Sequence, residues 1–376
     1  MFFINRLPIV LTRKLKSIRM MSTKLKKSDP SFPTKYFSGI QPTGDIHLGN
    51  YLGAIKQWVD LQNKEDLILS VVDLHAITLP QDPKELYQNI LRMTATLLAC
   101  GVDTSKLILF QQSQVYQHTE LAWIFSCICT MARLAHLPQF KEKSATLKDV
   151  PLGLYIYPVL QAADIMLYKA THVPVGDDQL QHLELSQDLA RMFNRRYGLT
   201  FPSPHAIVTG TSKIKSLRNP SKKMSKSDPD AKSRICLTDS ADEIARKIRK
   251  SVTDCTSAIT FDPDERPGVS NLVMMHSSLS GKTVEVILKE VEGMDTLQYK
   301  SLVADCVISF ISPISQRIKE LMEEPQYLRN VLDVGTSRAM EIASCTMEEV
   351  RGKMGIQLLH TEAHELATSN RSMYKM

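Results

Sequence analysis

Long apolar runs are missing from this chain of 376 residues. No stretch approaches the ~18 uninterrupted apolar residues of a membrane-spanning helix, so no membrane partner is expected. Cysteine is scarce and poorly spaced for bridging or metal binding. There are seven, an odd number, with no C-x-x-C pair. Cys127 and Cys129 stand one residue apart in an apolar, helix-like run, a poor geometry for zinc, so no metal site is expected. The thiols read as reduced core residues, which suits a mitochondrial matrix or cytosolic compartment. Acidic residues are absent from positions 1–28, where Arg6, Arg13, Lys14, Lys16, Arg19, Lys24, Lys26 and Lys27 supply eight positive charges. The net charge is +6, and taking away those eight leaves −2 for the remainder. A chain-wide basic character is therefore excluded, and any RNA-binding surface must be a local patch. Internal repeats are also absent, and no strand-like run of any length follows Ser227.

What is present divides into three stretches. Residues 1–30 mix Phe2, Phe3, Ile4, Leu7 and Ile9 with arginines, serines and threonines, the composition of a mitochondrial targeting presequence. Arg6 and Pro8 interrupt the apolar run, and no small-residue cleavage site follows it, which argues against a secretory signal. The length that remains suffices for two domains, each with its own core. From about residue 31 to 235 the pattern is α/β. Residues 35–40, 67–72, 107–110 and 173–175 read as strands, the inner ones continuously apolar as in a sheet buried on both faces. Helices are expected at about 48–62, 118–134, 152–169 and 178–194. A further helix opens at Asp82-Pro83-Lys84-Glu85 with a capping residue and a proline in its first turn. Strands alternating with such helices imply a doubly wound parallel sheet. From 236 to 376 only helices are expected: one begins at the capping box Ser240–Glu243, and others lie at about 269–279, 283–292, 297–322 and 325–355. The last twenty or so residues are polar and expected to fray.

Two stretches carry chemistry. The first, Gly39-Ile40-Gln41-Pro42-Thr43-Gly44-Asp45-Ile46-His47-Leu48-Gly49-Asn50, joins the first strand to the first helix. In a doubly wound sheet that crevice is where nucleotides bind, and the helix N-terminus offers free N–H groups to phosphate. His47 can donate to a phosphate oxygen, and Asn50 can bond phosphate or ribose. The second is the exposed loop 219–230, NPSKKMSKSDPD, in which Met224 is the single apolar side chain. Lys223 and Lys226, with serines between them, suit a mobile loop that closes over a polyphosphate. Arg246, Lys247, Arg249 and Lys250 form a basic cluster on one helix that could meet RNA.

Together HLGN at 47–50 and KMSKS at 223–227 resemble the HIGH and KMSKS signatures of class I aminoacyl-tRNA synthetases, with Asn50 in place of the second histidine. Other segments narrow the resemblance: SGIQPTGDIHLGNYLGA at 38–54, DLHAIT at 73–78, FKEKSA at 140–145, YPVLQAADIMLY at 157–168, VPVGDDQLQHLELSQDLA at 173–190 and KKMSKSDP at 222–229. The chain is similar, from about residue 35 into its C-terminal part, to the tryptophanyl-tRNA synthetase family of the bacterial and mitochondrial type. The resemblance implies a Rossmann-like catalytic domain with a C-terminal helical anticodon-binding domain. It implies ATP as substrate with Mg²⁺ carried by ATP, L-tryptophan and tRNA(Trp) as partners, a homodimer, and a place in mitochondrial protein synthesis.

The same resemblance assigns residues. His47, Asn50, Lys223 and Lys226 would be catalytic. Gln41, Pro42, Thr43, Gly49 and Asn50, with Gly176, Asp177, Asp178 and Ile214, would line ATP, together with Lys223, Met224, Ser225, Lys226 and Ser227; Lys143 would add a phosphate contact. Asp164 would accept the indole N–H of tryptophan, and Phe37, Gly39, Val173 and Val175 would wall the ring. Gln161 stands where many bacterial members carry methionine. Tyr157 and Gln179 would hold the amino group, and His75 lies near the site or in the core. Three other readings share parts of this pattern: tyrosyl-tRNA synthetase, a non-catalytic RNA-binding factor built on a synthetase fold, and a small nucleotidyltransferase with an HxGH site.

Overall fold

The computed structural model describes residues 31–137, 149–176, 179–208, 214–226 and 228–356. The segment read as a presequence, the C-terminal stretch expected to fray, Lys143, Asp177, Asp178 and Ser227 lie outside the described residues.

Five parallel strands form one sheet: β1 (Tyr36–Ile40), β2 (Leu67–Val71), β3 (Ile108–Gln111), β4 (His172–Val175) and β5 (His205–Val208). Their order is β3-β2-β1-β4-β5, so the chain reverses its direction of travel across the sheet between β1 and β4. At such a reversal the connections leave on opposite sides and open a crevice at the carboxyl ends of the strands. In register, Tyr36 of β1 faces Leu67 of β2 on one side and His172 of β4 on the other. β5 was not expected from the sequence: His205-Ala206-Ile207-Val208 is too short, and too polar at its start, to show a strand pattern alone.

The first helix, α1, begins as Leu48–Asn50, passes through a π turn at Tyr51–Ile55 and continues as Lys56–Leu61. π turns inside helices recur at functional sites. A short helix follows, α2 (Asp73–Ala76), and then α3 (Pro83–Ala99). The α3 cap is as read from sequence, with Asp82 Oδ1 accepting from the N–H groups of Lys84 and Glu85, both at 2.9 Å. The helix expected at 118–134 is two. α4 (Gln117–Ile128) stops where Cys129 turns extended, and Thr130 caps α5 (Met131–Ala135). α6 (Leu152–Leu167) and α7 (Leu180–Tyr197) complete the α/β part.

Beyond it come α8 (Ala241–Arg249), α9 (Pro267–Ser280), α10 (Val284–Glu290), α11 (Thr296–Met322) and α12 (Pro325–Met354). The Ser240–Glu243 capping box that opens α8 is present in both directions. Side chains of α8, α9, α10 and α11 share one apolar cluster with α1, α3 and the first three strands. α4, α6, α7 and the later turns of α12 form the cluster on the other face of the sheet. α12 crosses the edge strand β3. There Arg338 Nη1 donates to the carbonyls of Thr104 and Leu107, both at 3.0 Å. Covering an edge strand in this way removes a template for unwanted pairing.

The seven cysteines are all free. Only Cys100 and Cys236 are buried, so the expectation of core thiols fails for Cys127, Cys255 and Cys345, which are exposed.

Candidate active site

A cavity of about 350 Å³ opens at the β1/β4 reversal. All eight residues proposed for the amino acid border it: Phe37, Gly39, Tyr157, Gln161, Asp164, Val173, Val175 and Gln179. Gln41, Asn50 and Gly176 border it as well, which joins the two halves of the sequence-derived site. Phe37 and Val173 are almost fully buried, at 3% and 4% exposure, so the cavity wall there is also sheet core. Gly39 has a packing reason for lacking a side chain. A Cβ at that position would stand 2.9 Å from Cγ1 of Val72, which itself borders the cavity.

Asp164 sits on the buried face of α6 at 2% exposure. Its Oδ1 accepts from His118 Nδ1 at 2.6 Å, its Oδ2 accepts from His75 Nε2 at 2.8 Å, and Gln112 Nε2 reaches both oxygens at 2.8 and 2.9 Å. Burial alone would push this carboxyl up; the charges and hydrogen bonds of His118 and His75 outweigh it and hold the group below the usual carboxylate range. Asp164 is therefore an ionised acceptor in an apolar setting. His75 belongs to the cavity wall as well as to this cluster.

A second polar row involves the residues proposed for the amino group. The Tyr157 hydroxyl lies 3.3 Å from His182 Nε2, and His182 Nδ1 lies 3.0 Å from Gln179 Oε1. Sequence reading missed His182, His118 and Gln112. Each is a single polar residue in a segment with its own local logic, and none shows its partner until the chain folds.

The side expected from the sequence to face phosphate is built on the start of α1. Gly44 takes a left-handed conformation, φ 62°, in the turn before it. His47 and Asn50 cap each other: the Asn50 N–H donates to His47 Nδ1 at 3.2 Å, and the His47 N–H donates to Asn50 Oδ1 at 3.3 Å. The asparagine in HLGN thus has a structural task as the third residue of a capping box. Burial, and then the charges of Lys226, Arg234 and Lys223, push the His47 imidazole down to about 3. His47 is neutral at working pH, with Nδ1 accepting, so its proton resides on Nε2, where it can be donated.

The lysine-serine loop is fastened on both legs. Before it, the Ser216 N–H donates to the Lys222 carbonyl at 2.9 Å, and the Met224 N–H donates to the Ile214 carbonyl at 3.3 Å. After it, the Leu48 N–H donates to Ile235 and the Leu237 N–H to Ile46, both at 2.8 Å, which ties the loop's exit to HLGN. Arg234 Nη1 also donates to the Asp228 carbonyl at 2.8 Å. Met224 and Ile214 are 2% and 1% exposed and belong to the apolar core. Their side chains pack into that core, and their backbones are bonded to each other through the Met224 N–H and the Ile214 carbonyl. Lys223 stays exposed. Lys226 is half-buried, and its Nζ donates to the Thr43 carbonyl at 3.0 Å. Burial pushes the Lys226 ammonium down to about 8, against the opposing pull of Asp45. Thr43, Pro42 and Gly49 lie in the turn and first helical residues that this lysine faces. A cavity for a flat apolar ring, a buried anion and a lysine latched onto the glycine-rich turn before a helix are together suited to binding an amino acid beside a polyphosphate.

The basic cluster on α8 is smaller than its sequence suggested. Lys247 is buried and paired with Asp239 at 2.5 Å, leaving Arg246, Arg249 and Lys250 exposed.

Comparison with known proteins agrees with this geometry. The family model of class I tRNA synthetases (W and Y) matches residues 30–312. The tryptophan–tRNA ligase of Caldanaerobacter subterraneus subsp. tengcongensis is 47% identical over 326 residues, covering 86% of this chain and 99% of that relative. The crystal structure of tryptophanyl-tRNA synthetase from Mycoplasma pneumoniae superposes with a TM-score of 0.78 at 31% identity, covering 87% of this chain and 99% of that one. The Campylobacter jejuni synthetase, solved with ADP and tryptophan, gives a TM-score of 0.75 at 32% identity over 86% of this chain and 100% of its own. With the sheet order, the two signatures and these relatives in agreement, the chain belongs to the bacterial-type tryptophanyl-tRNA synthetases of class I, enzymes that ligate tryptophan to tRNA.

Proposed function

We propose that the chain activates L-tryptophan with ATP, releasing pyrophosphate, and passes the tryptophanyl group from the adenylate to the 3′ end of tRNA(Trp). The observation that carries the residue-level reading is the Lys226–Thr43 contact, which joins the lysine-serine loop to the glycine-rich turn beside the cavity. In this reading the tryptophan carboxylate attacks the α-phosphorus in line, and pyrophosphate leaves. Catalysis is positioning plus charge stabilisation. Neutral His47 donates Nε2–H to a phosphate oxygen, and Lys223 and Lys226 stabilise the leaving pyrophosphate. The 3′-terminal ribose hydroxyl of tRNA then attacks the mixed anhydride. A Mg²⁺ ion accompanying ATP would be held chiefly by phosphate oxygens and water.

Asp164 accepts the indole N–H. A site built around a buried acceptor discriminates against rings without a donor, because the acceptor is left unpaired. Pyrophosphate exchange screened over the twenty amino acids tests the reading. Tryptophan is expected to support exchange, and comparable activity with tyrosine or any other amino acid would refute the specificity.

The matrix location rests on the arginine-bearing residues 1–28, which hold no acid. That segment, fused to a fluorescent protein, is expected to enter mitochondria; a diffuse cytosolic signal rejects the idea. A homodimer accords with the large apolar side chains exposed on α4, α5 and α6, namely Trp123 at 72%, Met131 at 76% and Leu152 at 69%. Sedimentation at the mass of a single chain would rule it out. In this scheme residues 31–235 carry the chemistry, and the helices from 236 onward meet the anticodon.

A further inference from the structure

The Asp164 carboxylate is already full. An ionised carboxylate offers about four in-plane acceptor positions, two on each oxygen. His118 takes one on Oδ1, His75 takes one on Oδ2, and Gln112 Nε2 lies across the remaining pair, shared between both oxygens. An indole N–H can bond Asp164 only by displacing one of these donors. His75 borders the cavity, whereas His118 and Gln112 do not. The two rear donors are themselves held. Gln112 Oε1 accepts from the Leu74 N–H at 3.1 Å, which fixes the end of the amide that faces Asp164. His118 is fully buried, and its Nε2 is matched to the Tyr168 hydroxyl at 2.9 Å. Its ring stacks on Phe110 with centroids 5.7 Å apart, and the Tyr168 ring stacks on Phe37 at 5.5 Å. Phe37 is a wall of the cavity, so this rear network and the ring site share a side chain.

Resting on the reading of Asp164 as the indole acceptor, we infer that His118 and Tyr168 are positioning residues that keep Oδ1 engaged and leave Oδ2 to the substrate, whose N–H takes the place of His75. With His118 donating from Nδ1, the carboxylate cannot rotate to present either oxygen indifferently. A substrate ring without a donor then meets one of two costs. It leaves His75 in its way, or it moves His75 aside and leaves Oδ2 short of a partner in a buried site. Two residues outside the cavity therefore set part of its selectivity, and His75 serves as the placeholder in the empty site.

The test compares kcat/KM in pyrophosphate exchange for tryptophan and for β-(3-benzothienyl)alanine, which keeps the ring shape but has sulfur in place of N–H. His118→Gln puts its amide where Nε2 stood and leaves Oδ1 without that donor; the tryptophan preference is expected to fall by about tenfold or more. His118→Asn restores an N–H at the Nδ1 position and is expected to hold the preference within about threefold. Tyr168→Phe keeps the stack but removes the hydroxyl, with a fall of about threefold expected. A preference unchanged in both His118→Gln and Tyr168→Phe overturns the inference. Should His118→Gln fail to fold, Tyr168→Phe decides on the same criterion. Asp164→Leu, which removes the acceptor at similar size, separates the underlying reading. If the preference survives that substitution, Asp164 is not the indole acceptor; if it collapses there and persists in the other two, only the positioning roles fall.

Discussion

Lys226→Ala is expected to lower the turnover number for pyrophosphate exchange by about 10²–10³-fold, the range seen when one donor to a developing anion is removed. The KM for tryptophan should move by no more than about twofold, the pattern of an interaction made mainly in the transition state. Three observations favour Lys226 over its neighbours for this role. It is half-buried while Lys222 and Lys223 are exposed, so its charge acts in a less screened setting. Its Nζ already reaches the Thr43 carbonyl at the glycine-rich turn. Its charge also acts on His47, the other proposed donor, more strongly than that of Lys223 does. Lys226→Arg keeps the charge and should recover part of the rate, although a planar fork does not reproduce a compact ammonium. An unchanged turnover number in Lys226→Ala would remove the lysine from the mechanism.

The same lysine predicts a pH profile. Its folded-state pKa is depressed to about 8, so the charged form is present below that pH and is lost as pH rises through it. The ratio kcat/KM for ATP, which reports the free enzyme, should fall on the alkaline side with a midpoint near that value. In the ATP complex the phosphates favour the ammonium, so the corresponding limb of kcat should move to higher pH. His47, held near 3, contributes nothing to this limb. A flat profile between pH 7 and pH 10 would contradict the assignment.

Gly335→Ala carries the largest expected effect on stability. Gly335 lies where α12 crosses β3, and a Cβ there would stand 1.7 Å from the Leu109 carbonyl oxygen and 2.6 Å from its carbon. Both are backbone atoms of a buried strand, which cannot turn aside as a flexible side chain would. The helix must lift from the strand, disturbing the Arg338 bonds to Thr104 and Leu107 and the packing of Ala339 and Ala343 one and two turns on. Overpacking of this kind costs about 3 kcal/mol or more, read as a lower midpoint of urea unfolding. The sign is informative, since alanine in place of glycine inside an unconstrained helix raises stability by roughly 0.5–1 kcal/mol. A variant as stable as the parent would mean that α12 does not sit on β3.

Much of this molecule was legible in its sequence, and the legible parts share a reason. Leu67–Val71 and Ile108–Gln111 are strands whose continuous apolar character follows from burial on both faces. Asp82 and Ser240 cap helices through bonds to residues two or three positions on, and those bonds depend on local geometry alone. HLGN and the lysine-serine loop stood out because backbone at a helix start, and lysines among serines, suit phosphate wherever they occur.

What could not be read ahead depended on distant segments meeting. β5 is a strand because β4 supplies its ladder. Lys247 looked like part of a basic face until Asp239 paired with it. Met224 looked like a loop residue until the core received it. The partners of Asp164 lie 46, 52 and 89 residues away along the chain. By itself the sequence determined the α/β order and the helix starts, and it singled out the two stretches proposed to face phosphate, because these rest on periodicity and on bonds between near neighbours. Tertiary structure alone decided which lysine is latched against the turn, which donors surround the buried carboxylate and where the last helix lies. Those outcomes depend on distance and burial in three dimensions, which no local pattern encodes.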